Sequence, residues 1–444
     1  MSLSYFVYFV NFVVKNVFKV GNMKRILLLI GVVWFAVGVA LAADRASEDD
    51  MFGGVSSTPN PSTPKASAKA TQDAGADSRG LEPGGFGSNA NKSEEILQIG
   101  GTLSTEADFY IQDGVPFFSN TTSNPNILFL YLDSKLESDS RVFARLRTFY
   151  DPTGVSGGNP NTSSFTNPYG LGSGATDNLQ VSLQELRISA NIDQKVFFTI
   201  GRQKVKYGAA KFFNPTDFLN SQAFNFFLPS DERPGVDMVK MHIPSGTANL
   251  YAVGLVGNPT TGNPSGGYFR GELGYDGIEN FLGAGEMSFS GLLPRNQSGK
   301  VGFDLSQAVG DLDVYFEGAA GQDSTQTWKA AYSVGGSWAV RYADRASNTL
   351  TLQAEYARAG SLAEFGVFSL YLPEPGNLKK ITFVNTNLYS FIDQSGLSRL
   401  DTVYQFTTQL SGRLYVSGHW GQLGGVFHMP GQIAELGTRL DINF

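Results

Sequence analysis

Hydrophobic and polar residues alternate along most of the chain from Ile96 to its end. The apolar positions of two such stretches are Val142, Ala144 and Leu146, then Leu186, Ile188 and Ala190, and the polar positions between them include Arg141, Arg145, Arg147, Glu185 and Arg187. A period of two residues predicts β-strands that have one apolar face and one polar face. The pattern recurs in 328–342, 350–356 and 404–410.

Two architectures can bury one face of such strands: a soluble β-sandwich and a transmembrane β-barrel. The polar face carries Arg, Lys, Glu and Gln in strand after strand, which is typical of a water-filled lumen. Short turns alternate with long insertions at about 151–178, 204–235, 258–268, 359–379 and 412–433. We therefore predict an all-β, antiparallel transmembrane β-barrel of about 16 strands, within a range of 14 to 18, with short periplasmic turns and long outer loops.

The first 95 residues lack this alternation. The stretch MKRILLLIGVVWFAVGVALAA pairs two basic residues with an apolar run and the small-residue pattern of Ala40–Ala42, so residues 1–42 are predicted to be a signal peptide. A membrane anchor is the alternative, and residues 1–22 can be an overlong gene start. Residues 43–95, rich in Ser, Pro, Ala and Gly, are predicted to be a flexible periplasmic tether, and 96–444 the barrel.

The last segment, AELGTRLDINF, keeps the alternation up to the final residue. Membrane spanning requires a closed barrel, so the last strand is predicted to pair with the first. Leu440 and Ile442 would then face lipid, and Phe444 would lie at the interface. A C-terminal strand that ends in Phe resembles the signature of outer-membrane barrels, and this resemblance implies handling by the barrel-assembly machinery.

Composition narrows the possible chemistry. The 444 residues include no Cys, only 16% charged residues, and a net charge of −7. Disulfides and thiol catalysis are thus excluded, and the acidic balance argues against a nucleic-acid partner. His242, His419 and His428 lack metal-ligand spacing, and no supporting pattern accompanies Ser417 beside His419. We expect no metal, no cofactor and no enzyme.

Residues 197–241 contain the most distinctive motif. It consists of Gly201-Arg202-Gln203, Tyr207-Gly208, Asn214-Pro215-Thr216-Asp217 and Arg233-Pro234-Gly235-Val236-Asp237. The motif resembles one found in bacterial porin-like outer-membrane proteins, although Tyr207 stands where Trp is more frequent. The resemblance implies a porin-like barrel in the cell outer membrane.

The loop predicted at 204–235 is crowded with aromatic residues, namely Phe212, Phe213, Phe218, Phe224, Phe226 and Phe227. So apolar a loop is not expected to lie freely in water. We predict that it folds into the barrel and narrows the pore; capping the outside or packing on a neighbouring subunit are the alternatives. Charges near the constriction would then set selectivity, and the candidates are Lys206, Lys211, Asp217, Glu232, Arg202 and Arg233.

A basic strip is formed in the sequence by Arg141, Arg145, Arg147 and Arg187. It can act as a selectivity wall, or its arginines can pair with Glu185 and other acids of the lumen; we adopt the second interpretation.

The expected function is a passive diffusion channel for small hydrophilic solutes or ions. The alternatives are a channel selective for sugars or for aromatic or apolar acids, and a plugged surface or adhesion barrel. Outer-membrane lipid is an expected partner, and porins of this size suggest a homotrimer.

Overall fold

The computed structural model describes residues 97–136, 140–153, 178–220, 227, 235–257, 265–276, 283–295, 297–322, 327–342, 348–359, 363–428 and 431–444. The predicted signal peptide and tether lie outside the described residues, as do Glu232 and Arg233. In these described ranges no helix is long and apolar enough to cross a membrane.

Nineteen antiparallel strands form one continuous sheet. They are β1 (Leu97–Gln112), β2 (Thr121–Ser123), β3 (Asn126–Lys135), β4 (Arg141–Tyr150), β5 (Leu179–Ile192), β6 (Val196–Gln203), β7 (Val236–Ser245), β8 (Ala248–Leu255), β9 (Gly266–Tyr275), β10 (Gly285–Pro294), β11 (Lys300–Val309), β12 (Leu312–Gln322), β13 (Trp328–Arg341), β14 (Thr349–Ala359), β15 (Ala363–Pro373), β16 (Ile381–Ser390), β17 (Ser395–Gln405), β18 (Leu410–Gly421) and β19 (Gln432–Asn443). Eighteen of them form the wall of a barrel, while the three-residue β2 pairs with one end of β1.

The barrel closes where β1 pairs with β19. The register runs from Thr102 opposite Asn443 to Gln112 opposite Gln432. The backbone N–H of Gly101 donates to the Phe444 carbonyl (2.8 Å), and the Phe444 N–H donates to the Gly101 carbonyl (3.0 Å). The predicted seam is therefore confirmed: the final residue is held by two backbone hydrogen bonds, and the first and last strands of the wall pair with each other.

The two ends of the barrel differ in their connections. The turn end carries short connections such as 193–195, 246–247 and 310–311, together with the C-terminus. The loop end carries the two longest connections, 151–178 and 204–235. The turn end thus carries the short connections that the sequence predicted.

The strand number corrects the expected sixteen to eighteen. The two additional strands, β15 and β18, occupy parts of 359–379 and 412–433, which were expected to be outer loops. As a result, β16 and β17 run opposite to the predicted direction, and their connection lies at the loop end. On β15 the alternation is hidden because the inward residues Phe365 and Val367 are apolar; they pack on other apolar groups in the lumen.

The strand faces follow the predicted alternation elsewhere. Leu186, Ile188 and Ile200 are about half exposed on the outer surface. The inward face carries buried polar groups, among them Arg145 and Glu185. The register between β4 and β5 shifts after Arg145, and two successive residues of β5, Gln184 and Glu185, consequently both lie buried.

Candidate functional site

Residues 204–220 leave β6 and cross the interior of the barrel; we call them the crossing segment. Glu317 of β12 holds the segment with one carboxylate. Its Oε2 accepts the backbone N–H of Ala210 (2.9 Å), and its Oε1 accepts the N–H of Thr216 (2.6 Å) and the Thr216 hydroxyl (2.7 Å). Glu317 and Thr216 are both fully buried.

A second wall carboxylate, Glu355 of β14, holds the next turn of the crossing segment. Its oxygens accept the N–H groups of Lys211 (2.9 Å), Phe212 (3.0 Å) and Phe213 (2.7 Å). The Tyr315 hydroxyl also donates to Glu355 (2.8 Å). Since β6 and β14 lie nearly opposite each other in the ring of strands, the segment spans the lumen. The prediction that this loop folds inward is confirmed for its described residues.

Apolar packing secures the crossing segment at both ends. Near β6, Val205, Tyr207, Phe218 and Leu219 join a buried cluster with wall residues of β7 to β10. At the far side, Phe212 and Phe227 join a second buried cluster, whose other members are Val367, Leu388, Leu397 and Phe427. Phe213 stacks on Phe365 of β15, with ring centroids 5.3 Å apart. The segment is thus fixed by polar and apolar contacts together.

Two glycines of the sequence motif occupy positions that a side chain would not fit. Gly201 has φ +119°, and a Cβ there would collide with the carbonyl oxygen of Leu186. Gly208 has φ +110°, and a Cβ would lie 2.5 Å from Oε2 of Glu317. The aromatic–glycine pair therefore permits the backbone to pass directly beside the wall carboxylate.

The Asn-Pro-x-Asp part of the motif forms a compact turn within the crossing segment. The Asp217 N–H donates to the Asn214 carbonyl (3.2 Å), with Pro215 between them. Asn220 Nδ2 donates to both carboxylate oxygens of Asp217 (2.8 Å each) and to the Val205 carbonyl (2.6 Å). Asp217 thus stabilises the turn. Lys206 and Lys211 also belong to this segment.

Arg202 requires a correction. It was expected near the constriction, but it shares the outward face of β6 with the half-exposed Ile200. Its guanidinium forms a two-point ion pair with Asp237 of β7, Nε to Oδ1 at 2.9 Å and Nη2 to Oδ2 at 2.7 Å. The first and last parts of the motif are therefore joined on the outer surface. Gln203, the next residue, is fully buried on the inner side.

The predicted basic strip lies on the inner surface of β4 and β5. Arg145 lies over the ring of Phe129 (4.4 Å to the centroid), Arg147 over Phe149 (5.4 Å), and Arg187 over Phe143 (4.9 Å). Such stacking holds guanidinium groups in fixed orientations.

Two arginines of this strip have acidic partners. Arg187 Nε is 3.7 Å from Glu185, and Arg141 forms an ion pair with Asp133. The expected pairing with acids thus holds for Arg187 and Arg141, whereas the contacts of Arg145 described above are aromatic.

Acidic side chains surround the hydroxyl of Tyr415 on the wall formed by β17, β18, β19 and β1. The Tyr415 hydroxyl contacts Glu106 (2.8 Å), Asp108 and Glu435 (3.2 Å). Arg399 lies over the Tyr415 ring at 3.7 Å. The lumen therefore carries groups of both signs on neighbouring stretches of wall.

On β9, Arg270 connects the wall with the crossing segment. It donates to Glu272 (2.7 Å) and to both oxygens of Asp304 (2.7 and 2.9 Å), and it lies over the Tyr207 ring at 5.2 Å. Sequence reasoning did not single out Arg270, Glu317, Glu355 or Tyr415. The available signal was an ionisable or phenolic group at an inward position near the middle of an alternating strand.

The three histidines contact neighbouring carbonyl and amide groups. Nδ1 of His419 contacts the Phe427 carbonyl (2.6 Å), and Nε2 of His242 contacts Asn249 (3.0 Å). Among the residues that the structure describes, no group of three or more His, Asp or Glu side chains is arranged to hold a metal ion. Ser417 directs its hydroxyl toward Glu435 (3.5 Å).

Comparisons with known proteins show the fold. No family model matches the chain, and no curated protein sequence matches it. The crystal structure of Acinetobacter baumannii OccAB4 is similar over 78% of this chain and 98% of its own, with 10% identity and a TM-score of 0.51. OccAB3 from the same organism is similar over 78% and 99%, with 9% identity and a TM-score of 0.51. The outer membrane protein OpdK from Pseudomonas aeruginosa is similar over 78% and 98%, with 9% identity and a TM-score of 0.49.

Proposed function

We propose that the chain is an outer-membrane channel through which small hydrophilic solutes or ions diffuse, and that the crossing segment is its constriction. The observation that carries the proposal is the anchoring of this segment across the lumen by Glu317 and Glu355. A loop held inside a closed barrel by six hydrogen bonds from its own backbone and side chain reduces the free cross-section without a mobile gate.

The distribution of polarity supports a membrane location. Outward positions such as Leu186, Ile188 and Phe289 are apolar and exposed, whereas inward positions such as Arg145 and Glu355 are charged. This arrangement suits a barrel that has lipid outside and water inside. The predicted signal peptide and the C-terminal Phe444 agree with export to the outer membrane and with handling by the barrel-assembly machinery. The motif of residues 201–237 supports a porin-like family for the chain.

Selectivity in this proposal comes from fixed charges of both signs around the constriction. Arg145, Arg147 and Arg187 are held over aromatic rings, and Glu106, Asp108 and Glu435 face the lumen two to four strands away. Permeation would depend on solute size and on the local balance of these charges. The protein performs no catalysis in this proposal.

A selective channel with an apolar path receives less support. The rings of Phe212, Phe218 and Phe227 are at most 8% exposed, since they pack against the wall and the rest of the segment. Buried rings do not offer a surface to a passing solute. We therefore prefer the hydrophilic channel to a path for aromatic or apolar acids.

Planar-bilayer recording tests the proposal. Residues 43–444 are refolded into lipid bilayers, and single-channel conductance and reversal potential are measured under a salt gradient. We expect stepwise conductance and a reversal potential that reports the ion preference. The control is the same chain without refolding. A barrel that inserts in folded form but carries no current would contradict the channel and favour the plugged surface barrel.

A further inference from the structure

Two asparagines interrupt the apolar outer surface of the barrel. On β16 the inward residues Thr386, Leu388 and Ser390 are buried, so Asn385 and Asn387 face outward. Ser398 of β17 is directly opposite Asn387 in the register. We call Asn385, Asn387 and Ser398 the amide patch.

The amide patch lies at the middle height of the wall. Toward the loop end, Tyr389 stacks on Trp420 with ring centroids 5.6 Å apart. Toward the turn end, Tyr404 and Phe406 form a second aromatic pair at 4.8 Å. Aromatic girdles mark the two membrane interfaces of an outer-membrane barrel. The patch is therefore at the depth of the hydrocarbon.

The surroundings of the patch are apolar. Asn385 is flanked in the register by Leu370 of β15 and Leu400 of β17, and Asn387 is flanked by Phe368 of β15. Lipid chains can satisfy none of the hydrogen-bonding capacity of an amide. Two adjacent amides in this band thus require protein groups as partners.

Within the described residues the patch satisfies only part of its own capacity. Asn387 Nδ2 donates to Asn385 Oδ1 (2.7 Å), Asn385 Nδ2 donates to the Arg399 carbonyl (3.1 Å), and Trp420 Nε1 donates to Ser398 Oγ (3.1 Å). A carboxamide has two N–H donors and an acceptor oxygen. One N–H of each amide and the Oδ1 of Asn387 therefore stay available at the surface.

Close approach of another protein is possible at the patch. Gly418 of β18 is opposite Ser398 in the register, and a Cβ built on Gly418 would meet no heavy atom within 4 Å. Between transmembrane helices, small residues beside polar side chains permit close contact, and the same combination is present here on a barrel wall. The row Asn387–Ser398–Gly418 thus combines polar side chains with open space beside them.

We propose that the amide patch is the contact surface for a second copy of this chain, with amides of the two copies exchanging hydrogen bonds across a twofold axis. The available N–H donors and the available acceptor lie at the same place, so the patch is complementary to itself, as an isologous contact requires. This inference rests on the membrane location proposed above. It replaces the size-based expectation of a homotrimer with a pairwise contact at a defined position.

The oligomeric mass of the full chain in detergent micelles tests the proposal, measured by sedimentation equilibrium. The double variant Asn385→Leu, Asn387→Leu keeps the size of the side chains but removes the amides. We expect its dissociation constant to rise about tenfold, which corresponds to about 1.4 kcal/mol. Thr148→Leu on the outer face of β4 is the matched control and should leave the mass unchanged. A monomeric wild-type chain, or an oligomer that is equally stable in the double variant, would contradict the contact.

A single cysteine tests the geometry, because the chain has no Cys of its own. Asn387→Cys should form a disulfide-linked dimer under mild oxidation, since a twofold contact brings position 387 of both copies together. If this variant remains oligomeric but forms no cross-link, the twofold arrangement is wrong. Conductance per barrel, recorded from the same preparations, should be unaffected. A conducting monomer would thus contradict this inference alone, and a silent oligomer would contradict the channel alone.

Discussion

The wall from β3 to β6 and the wall from β15 to β18 belong to the same barrel but have different interiors. In the first, inward positions carry Arg145, Arg147 and Glu185, and the alternation with apolar outward residues is plain in the sequence. In the second, the inward positions Phe365, Val367 and Leu388 are apolar. The first wall was predicted strand by strand, whereas β15 and β18 were predicted to be loops.

The difference arises from what each wall contacts. The apolar interior of β15 to β17 packs against Phe212, Phe213 and Phe227. These residues belong to the loop after β6, which begins on the opposite side of the barrel. A strand whose inner face touches apolar side chains has no reason to alternate. Hydrophobic periodicity therefore reports the surroundings of a strand, and it reveals the strand only where those surroundings differ on the two faces.

Deletion within the loop after β6, including most of the crossing segment, is the largest test of this comparison. Deletion of residues 209–228 should raise single-channel conductance severalfold, because it takes away the part of the chain that spans the lumen. It should also expose the apolar interior of β15 to β17, which would bind a hydrophobic dye. Shortening the connection 276–284 at the turn end is the control. Unchanged conductance would contradict the proposal that the crossing segment is the constriction.

The two wall carboxylates give the next largest effect. Glu355→Ala leaves three backbone N–H groups of the crossing segment without their acceptor, and each unsatisfied group costs about 1–3 kcal/mol. We expect noisier and larger channel currents, and a lower urea midpoint for the crossing segment as reported by the fluorescence of a probe placed there. Glu364→Ala is the control, because the Glu364 carboxylate accepts its hydrogen bond from the Tyr356 hydroxyl on the outer face of the barrel. Equal channel currents and equal urea midpoints for the two variants would argue against anchoring of the crossing segment by Glu355.

Gly208 tests how closely the crossing segment must pass the wall. Gly208→Ala combines a left-handed backbone with a methyl group 2.5 Å from Glu317, so we expect about 1–3 kcal/mol of destabilisation, measured by urea unfolding in micelles. Gly431→Ala is the matched control, because Gly431 has a similar positive φ (+93°) but open space around it. The difference between the two variants isolates the steric contact. If both lose the same stability, the contact with Glu317 is unimportant.

The smallest expected effect separates an inward arginine from an outward one. Arg145→Gln should shift the reversal potential toward cations by several millivolts, since it removes a positive charge from the lumen wall. Arg202→Gln should leave the reversal potential unchanged, because Arg202 pairs with Asp237 on the outer surface. Equal shifts for both variants would contradict the assignment of their faces.

Much of the candidate site could be predicted from the sequence. The inward direction of Arg145, Arg147 and Arg187 followed from alternation, and the aromatic content of 204–235 indicated a loop that folds inward. Arg202 was misplaced because the motif drew attention to its charge, although its parity with Ile200 already indicated the outer face. Glu317 and Glu355 could not be identified as anchors, because their partners are backbone N–H groups more than one hundred residues away in sequence.

The sequence by itself determined that the chain alternates, that its strands close with Phe444 at the seam, and that acids and bases share the polar face. These features are local, since the period of two and the last residues are visible without any partner. Only the tertiary structure decided which strands face the aromatic loop, and hence that β15 is a strand of the wall although its two faces are both apolar. It also decided which carboxylates hold the crossing segment, because hydrogen bonds to backbone groups leave no pattern in the side chains that receive them.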